Sequence, residues 1–499
     1  MLFSKIKDQK YIVNRTTKVF LMLMFTSFVF VSCLDDEEFT SSQEAILSIY
    51  RDTVRLGTVI SGELAATDTV KIYNHNKKGV RIRRAWLEQG SASLFRVNLN
   101  GSFLTDGQGE NFEALGKDSL FAFISFLAPE TSEDEEVAFV DRLYLELESG
   151  AVNHIPLKAS VQSVNRMKGV RIGSDIVFDS SRPYQIMDSL VVEKGATLTL
   201  AAGVRLLFHP GATLIVRGKI VSEGTPEKNV VLRGDRLGNM LSQVSYDNIA
   251  NQWGGVRICS ESYENVIKYT DIHSAKYGIL CDKSDTEVQK LILEGCKLHN
   301  FSEWALTARS SWIYAVNTQI SNGAAGCVNI LGGNASFIHC TIAQFYAVLS
   351  SYDGPALHFA NYEAKERFPL QNLQFHNCIV TGRHDDDIMG EQSKAFPEDA
   401  FSYLFHNCLL NTPKIVKGEA ASHFENCLWE EDGGDNSRAA GFEPEFDYNQ
   451  LIFNFQLSPK SRAIGIGDVS VSTIYAPTDR LGHDRLATSS PDAGCYERI

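Results

Sequence analysis

The chain has 499 residues, of which 44% are hydrophobic and 22% charged, and its formal net charge is −14. This composition is that of a globular protein, and the length is sufficient for two or more domains. The acidic balance excludes a nucleic-acid partner, since phosphate backbones are bound through clustered Lys and Arg. Frequent glycine (37) and scarce proline (13), with many β-branched and aromatic runs, favour a β-rich fold with tight turns.

Residues 1–32 have the pattern of an export signal. Basic residues precede an apolar run, Val19–Val31, which is short for a membrane-spanning helix. Ser32 and Cys33 then follow, and this ending resembles the lipobox of bacterial lipoproteins, although Phe30 stands where that family has an aliphatic residue. The resemblance implies that Cys33 is the mature N-terminus and carries the lipid. The alternative is an ordinary secretory signal with a coincidental cysteine.

Residues 33–47 are predicted to be an acidic linker. Asp35–Glu38, directly behind the lipidated cysteine, resemble the surface-export signal of Bacteroidota-type lipoproteins, and the alternative is a solvated linker. The resemblance implies a protein on the outer membrane, exposed at the cell surface and held by acyl chains rather than by a transmembrane helix.

Residues 48–165 are predicted to form an immunoglobulin-like β-sandwich. The segment contains about seven short runs that are apolar or alternating, and in one of them Leu143, Leu145 and Leu147 share a face. It has no cysteine, so the antibody-type disulfide is excluded. The order of "LGTVISGE", "DTVKIYNHNKKGVRI", "SLFAFISFLAPE" and "HIPLKASV" resembles immunoglobulin-like modules of the Hydin/choice-of-anchor type.

Residues 166–499 are repetitive. The tetrapeptide Phe-His-Asn-Cys occurs at 375–378 and 405–408, and related units keep an apolar residue three positions before the Cys and another two positions after it. The Cys, or a Thr in its place, stands at Thr270, Cys296, Thr318, Cys340, Cys378, Cys408 and Cys427. Steps of about twenty residues are typical of the coils of a solenoid.

A bend in each unit reconciles the spacing with a buried face. Strict alternation would put residues three apart on opposite sides, but a one-residue bend returns both to the same side. Asn and Gly, which tolerate left-handed backbone, dominate directly before the Cys. We therefore predict an all-β chain in which coils over 166–499 stack into a right-handed parallel β-helix with a C-terminal cap.

The same region resembles the right-handed parallel β-helix repeat lipoproteins of Bacteroidota type, which have a pectin-lyase-like fold. The resemblance rests on "GATLTL", "GATLIV", "QWGGVRI", "YTDIHSAKYGILCD" and the Phe-His-Asn-Cys units. The ending "DRLGHDRLATSSPDAGCYE" resembles a choice-of-anchor-Q tail. These similarities imply a fold but no single activity, since the fold serves lyases, hydrolases, adhesins and scaffolds alike.

The repeated His and Cys are not predicted to bind metal. If the Cys points inward, the His two positions earlier points away from it, and other copies of the unit replace the His by Ile338 or Glu425. No paired Cys-x2-Cys ligands of a zinc site occur. We interpret the Cys as a small hydrophobe in a stack and predict no metal or other cofactor there.

Few residues are candidates for ligand binding. Asp385, Asp386, Asp387 and Glu391 are the candidate loop for a ligand or for Ca²⁺, but adjacent residues on an extended segment point to opposite sides, so a solvated loop is the alternative. Trp253 is a candidate sugar platform or part of a packed turn. No Gly-x-Ser-x-Gly nucleophile elbow occurs, and no catalytic residue is predicted.

From these patterns we expect a non-catalytic cell-surface lipoprotein that presents a β-helix for binding glycan or protein. One alternative is a polysaccharide lyase or glycoside hydrolase of the same fold. The other is a structural subunit of an outer-membrane complex. The expected partners are the outer membrane, through the lipid anchor, and polysaccharides or proteins of a surface complex.

Overall fold

The computed structural model describes residues 38–241, 243–346, 354–415, 417–433, 441–442, 446–487 and 490–499. These residues are all-β, as predicted, with one α-helix among them, α1 (Val469–Tyr475). In this part of the chain no helix is both long and apolar enough to cross a membrane. The predicted signal peptide and Cys33 lie outside the described residues.

The chain divides into two compact units. One holds the residues through Val54 together with Thr69–Ser125 and Val140–Leu157. The other holds Arg55–Asp68, Phe126–Phe139 and Lys158–Ile499.

Ten strands lie within residues 38–162. They are β1 (Ser48–Ile49), β2 (Val54–Ile60), β3 (Asp68–Tyr73), β4 (Val80–Leu87), β5 (Phe95–Leu99), β6 (Ser102–Phe103), β7 (Gln108–Ala114), β8 (Ser119–Phe126), β9 (Val137–Leu147) and β10 (Val152–Gln162). They form two five-stranded sheets, ordered β1-β3-β8-β5-β6 and β2-β10-β9-β4-β7. Period-two alternation explains the strands: Leu143, Leu145 and Leu147 of β9 are all buried, as predicted.

Shorter strands follow along the rest of the chain. The first group is β11 (Asn165–Met167), β12 (Arg171–Ile172), β13 (Ile176–Phe178), β14 (Tyr184–Ile186), β15 (Leu190–Val192), β16 (Thr197–Leu200), β17 (Arg205–Phe208), β18 (Thr213–Val216), β19 (Lys219–Glu223) and β20 (Val230–Gly234). The second group is β21 (Asn239–Leu241), β22 (Val244–Ser245), β23 (Gly255–Ile258), β24 (Asn265–Lys268), β25 (Thr270–His273), β26 (Ile279–Cys281), β27 (Gln289–Glu294), β28 (Lys297–Phe301), β29 (Trp304–Val316), β30 (Gln319–Gly323), β31 (Gly326–Ile338) and β32 (Thr341–Gln344). The third group is β33 (Leu357–Ala360), β34 (Tyr362–Glu363), β35 (Glu366–Arg367), β36 (Leu370–His376), β37 (Ile379–Gly382), β38 (Ile388–Glu391), β39 (Phe401–His406), β40 (Leu409–Leu410), β41 (Phe424–Glu425), β42 (Leu428–Trp429), β43 (Phe446–Asp447) and β44 (Ile452–Phe453).

Most of these strands belong to two large sheets of parallel strands. An 11-stranded sheet runs β11-β14-β17-β20-β25-β28-β30-β32-β37-β40-β42. The intervening strands form a 17-stranded sheet, except for the separate pairs β21–β22 and β34–β35. The chain thus alternates between the two sheets, and each strand pairs in parallel with one from a following cycle, as in Tyr184↔Leu206 and Ile320↔Ile342. Each cycle buries its apolar residues only against its neighbours.

The predicted bend is confirmed at every unit. The residue before the Cys or Thr has a positive φ in all seven cases: Tyr269 (40°), Gly295 (62°), Asn317 (49°), His339 (48°), Asn377 (53°), Asn407 (53°) and Asn426 (52°). This left-handed residue lies between the end of one strand and the start of the next. The bend therefore turns the chain from the 17-stranded sheet to the 11-stranded sheet.

The inward residues stack from cycle to cycle. The rings of Phe337, Phe375, Phe405 and Phe424 are successive stacked neighbours, with centroids 4.9, 4.7 and 5.3 Å apart. The Cys residues of these units lie beside them, and all nine described cysteines are free thiols. The structure thus places the Cys in the core, where it fills space as a small apolar side chain.

The segment after residue 440 packs on the 11-stranded sheet. A second apolar cluster joins Phe345, Ile379 and Leu409 of that region to Phe455 and Tyr496. Asn amides of the bends donate to backbone carbonyls of the same segment, from Asn317 to Thr478, from Asn377 to Asp468 and from Asn407 to Ile466. We call residues 461–499 the C-terminal brace.

Candidate functional site

Two adjacent strands of the 11-stranded sheet carry polar residues on the face opposite the core. In β25, Ile272 is fully buried in the core, so alternation puts Asp271 and His273 on the other face. In the next strand, β28, the in-register partners are Lys297, opposite Asp271, and His299, opposite His273. The parallel register therefore brings two like positions of consecutive cycles side by side.

These side chains contact one another directly. His299 Nε2 lies 3.0 Å from Asp271 Oδ1, and Lys297 Nζ lies 4.0 Å from Asp271 Oδ2. The rings of His273 and His299 stack with centroids 4.9 Å apart and planes 23° apart. Among the described residues, Asp271, His273 and His299 are the group of His, Cys, Asp or Glu whose ligand atoms all lie within 4.8 Å of one another.

A short turn at Tyr246–Asn248 completes the group. Asp247 forms an ion pair with Arg233 of β20, and its Oδ1 lies 4.0 Å from His273 Nε2. We call Arg233, Asp247, Asp271, His273, Lys297 and His299 the polar cluster. Three of its side chains are largely enclosed, since His273 is 6% exposed, His299 11% and Asp271 24%, whereas Lys297 is 31% and Asp247 40% exposed.

Enclosure sets the protonation states. Burial alone would raise the pKa of Asp271, but His299 and Lys297 beside it hold that pKa well below its usual range. Burial lowers the pKa of His273 well below its ordinary value, against the opposing pull of Asp271. Burial and then the Lys297 charge lower the pKa of His299 as well. At neutral pH the cluster therefore presents an ionised carboxylate and two neutral imidazoles.

The four candidate carboxylates of the loop, Asp385, Asp386, Asp387 and Glu391, have different surroundings. Asp387 is buried and accepts a hydrogen bond from Asn411 Nδ2 at 2.6 Å, with His384 Nδ1 at 3.0 Å. Asp386 Oδ1 accepts from the Ile388 amide at 3.2 Å, which closes a turn. Asp387 is thus enclosed by the protein, whereas Asp385, Asp386 and Glu391 are exposed.

Glu391 lies instead in an open groove on this part of the molecule. The groove has a volume of about 800 Å³ and is lined by Tyr362, Ala364, Lys365, Gly390, Glu391, Gln392, Ser393, Lys394, Ala395 and Phe396. The Tyr362 hydroxyl lies 3.5 Å from Glu391 Oε2, and His358 Nε2 lies 3.4 Å from the same oxygen. The groove combines two aromatic rings with exposed charges of both signs.

Trp253, the candidate sugar platform, is in the core. It is only 2% exposed, its ring stacks on Phe208 at 4.1 Å, and its indole N–H donates to the His273 carbonyl at 2.9 Å. Both faces of the ring are enclosed by the protein, so the packed-turn interpretation describes this residue and the surface platform does not.

The polar cluster was not among the residues predicted from the sequence, yet the repeat carried a signal for it. Asp271 and His273 are the first and third residues after Thr270, and Lys297 and His299 occupy the same places after Cys296. Aligned units with charged or imidazole side chains at both outward places predict a polar patch on adjacent strands.

Comparison with known proteins gives little further information. No family model matches the chain. A stretch of 79 residues, 16% of the chain, is 35% identical to Protein bark beetle of Drosophila melanogaster and spans only 2% of that protein's length. The PapD-like domain 7 of human CEP192 is 15% identical over 23% of this chain and 84% of its own, with a TM-score of 0.16, too low to indicate a shared fold.

Proposed function

We propose that this chain is an exported, lipid-anchored protein of the outer-membrane surface that binds glycan without cleaving it. In this proposal the N-terminal sheets are an immunoglobulin-like module, and the two parallel sheets are the walls of a right-handed parallel β-helix. The alternating sheet order and the in-register parallel pairing support the β-helix.

The groove beside Glu391 carries the binding proposal. Tyr362 and Phe396 offer aromatic faces for the apolar side of a sugar ring, while Glu391, Lys365 and Lys394 offer hydrogen bonds to its hydroxyl groups. The groove is open, so a chain of sugars can lie along it. By contrast, the polar cluster is too enclosed to admit a polymer, because its two imidazoles are 6% and 11% exposed.

Binding to a panel of acidic and neutral polysaccharides tests this proposal. We expect at least one to bind the full chain, and Tyr362→Ala or Phe396→Ala to weaken that binding about tenfold, the equivalent of roughly 1.4 kcal/mol. Phe103→Ala, at an exposed aromatic residue on a different sheet, is the matched control and leaves the affinity unchanged. Failure of every polysaccharide to bind contradicts the proposal.

The same panel separates binding from catalysis. A hydrolase of this kind uses a pair of carboxylates at a defined separation, whereas Glu391 is the one Asp or Glu among the residues that line the groove. We therefore expect no depolymerisation. Product release that Glu391→Gln abolishes would instead establish the polysaccharide-degrading alternative, and stable co-purification with outer-membrane proteins would favour the structural-subunit alternative.

The lipid anchor has its own test. If Cys33 carries the lipid, Cys33→Ala moves the exported protein from the membrane fraction to the soluble fraction. Cys259→Ala, at a partly exposed cysteine of the repeat region, is the control and leaves the protein on the membrane. An unchanged distribution for Cys33→Ala contradicts the anchor.

A further inference from the structure

We propose that Asp271, His273 and His299 bind one zinc-class divalent metal ion on the outer face of the 11-stranded sheet. This inference does not rest on the proposed glycan binding, because the groove and the polar cluster share no residue. It rests on the positions of the three ligand atoms, on the hydrogen bond that orients His273, and on the chemistry of the ligands.

The three side chains already converge. Zinc ligands lie about 2.0–2.2 Å from the ion, so two ligands of one tetrahedral ion are roughly 3.3 Å apart. The Asp271 carboxylate and His299 Nε2 are 3.0 Å apart, and the complete set lies within 4.8 Å. Small rotations of the imidazole rings are sufficient to close the set around one ion.

A hydrogen bond fixes the orientation of His273. The Ser274 hydroxyl donates to the Asp247 carbonyl at 2.6 Å, so its oxygen accepts from His273 Nδ1, 2.9 Å away. The proton of the neutral ring is thereby held on Nδ1, and the lone pair of Nε2 faces the cluster. Metal-binding histidines are oriented by such a bond on their other nitrogen.

The group facing this lone pair is also an acceptor. Among the described residues, none donates a hydrogen bond to His273 Nε2, and Asp247 Oδ1, which also contacts Arg233, lies 4.0 Å away. Arg233 already supplies a cation beside that oxygen, so the unmet requirement is that of the His273 Nε2 lone pair. His273 is only 5% exposed, so bulk water has little access to its Nε2 lone pair and is a poor substitute for a cation there.

The ligand set selects the kind of metal. Two imidazoles with one carboxylate suit Zn²⁺ and its neighbours, whereas Ca²⁺ and Mg²⁺ require oxygen ligands throughout. A fourth coordination position is left for water or for Asp247.

The positive charge of Lys297 repels a bound metal ion, so substitution of Lys297 provides a sharp test of the site. Its ammonium is 4.0 Å from Asp271 Oδ2 and the side chain is 31% exposed, so it can swing into solvent when a cation enters, at a cost in affinity. Lys297→Gln removes that repulsion. A metal site is strengthened by this change, whereas a cluster held together only by ion pairs loses a partner and is weakened.

Zn²⁺ titration of the full chain, stripped with a chelator and alkylated at accessible thiols, measures the site. We expect one ion per chain with a Kd of about 1 µM or tighter, and a rise in Tm on saturation. The His273→Gln/His299→Gln double variant loses this binding, Ser274→Ala weakens it about tenfold and Lys297→Gln tightens it severalfold. Co²⁺ in place of Zn²⁺ gives d–d absorption without a thiolate band.

The control pair is His376→Gln/His406→Gln, which also changes histidines on neighbouring strands. It leaves the Zn²⁺ affinity intact. Absence of saturable binding by the unaltered chain overturns the proposal, as does full binding by the His273→Gln/His299→Gln variant. If that variant does not fold, opposite shifts of affinity in Ser274→Ala and Lys297→Gln support the site, and unchanged affinity in both overturns it.

Discussion

Asn377 satisfies two requirements at one position of the repeat. Its φ of 53° makes the bend between sheets, and its side-chain amide donates to Asp468 O at 3.1 Å while its Oδ1 accepts from the Asp468 amide at 2.8 Å. Gly295 meets only the first requirement. The Asn of Phe-His-Asn-Cys is therefore both a conformational residue and a contact to the C-terminal brace.

Substitution separates the two roles. Asn377→Ala is expected to lower the free energy of unfolding by about 2–4 kcal/mol, since it combines left-handed strain with lost buried hydrogen bonds. Asn377→Gly retains the bend and costs less. Asn426→Ala, at an exposed bend, costs about 1 kcal/mol. Urea unfolding of the three variants gives these differences, and equal losses for the two Ala variants would contradict the second role.

At the scale of a single residue, the sequence predicted the backbone conformation of the bend but not the hydrogen-bond partner of the Asn377 side chain. The predominance of Asn and Gly directly before the Cys, two residues after an apolar position, predicted the bend correctly. The partner of Asn377 is 91 residues away along the chain, in a segment without the repeat. No local pattern indicates a contact of that kind, because it depends on how the brace packs.

Among the described elements, the C-terminal brace contains the largest number of buried charged side chains. The Arg485 side chain is fully buried and donates to Asn317 Oδ1 at 2.8 Å, to Gly494 O at 2.9 Å and to Glu497 at 3.1 Å. Burial, and then the nearby Asp492 carboxylate, raise the pKa of Glu497 to about 7. This carboxyl is thus half-protonated near neutral pH although it has a cationic partner.

The raised pKa predicts a pH dependence of stability. Between about pH 4.5 and 7 the folded chain keeps a proton on Glu497 that the unfolded chain has lost, so stability falls as the pH rises through that window. The loss is on the order of 2 kcal/mol. Glu497→Gln is expected to remove this slope, measured by urea unfolding across the window, while Glu133→Gln in an exposed loop keeps it. An unchanged slope in Glu497→Gln contradicts the assignment.

The polar cluster also belongs to the scale of elements. Its Asp271-Ile272-His273 and Lys297-Leu298-His299 segments were readable as matching outward positions, but only the parallel register brings them together. Arg233 of β20 holds the matching outward place on the preceding strand, because Leu232 pairs with Ile272. Asp247 could not have been placed in this way, since it lies on a turn outside the repeat frame. At 385–387 the sequence did not distinguish the buried carboxylate, Asp387, from the exposed Asp385 and Asp386.

For the molecule as a whole, the repeat period predicted the all-β class and parallel stacking of successive units. The period could not predict the groove beside Glu391. That groove is built from the β34–β35 hairpin and the segment after β38, both additions between repeat units, and additions follow no periodic pattern.

The C-terminal brace has a consequence for the order of folding. Repeat arrays ordinarily fold by adding units to their neighbours, so early units can form during synthesis. Here Arg480 donates to Asn229, Tyr496 to Gln319 and Cys495 to Thr341, so one late segment joins units made at very different times. The braced units, from Asn229 onward, are completed only by residues that are synthesised after all of them. Folding that proceeds from the N-terminal side during synthesis therefore leaves the stack incomplete. The final step is the docking of the C-terminal brace, a long-range contact that makes the braced units fold and unfold cooperatively.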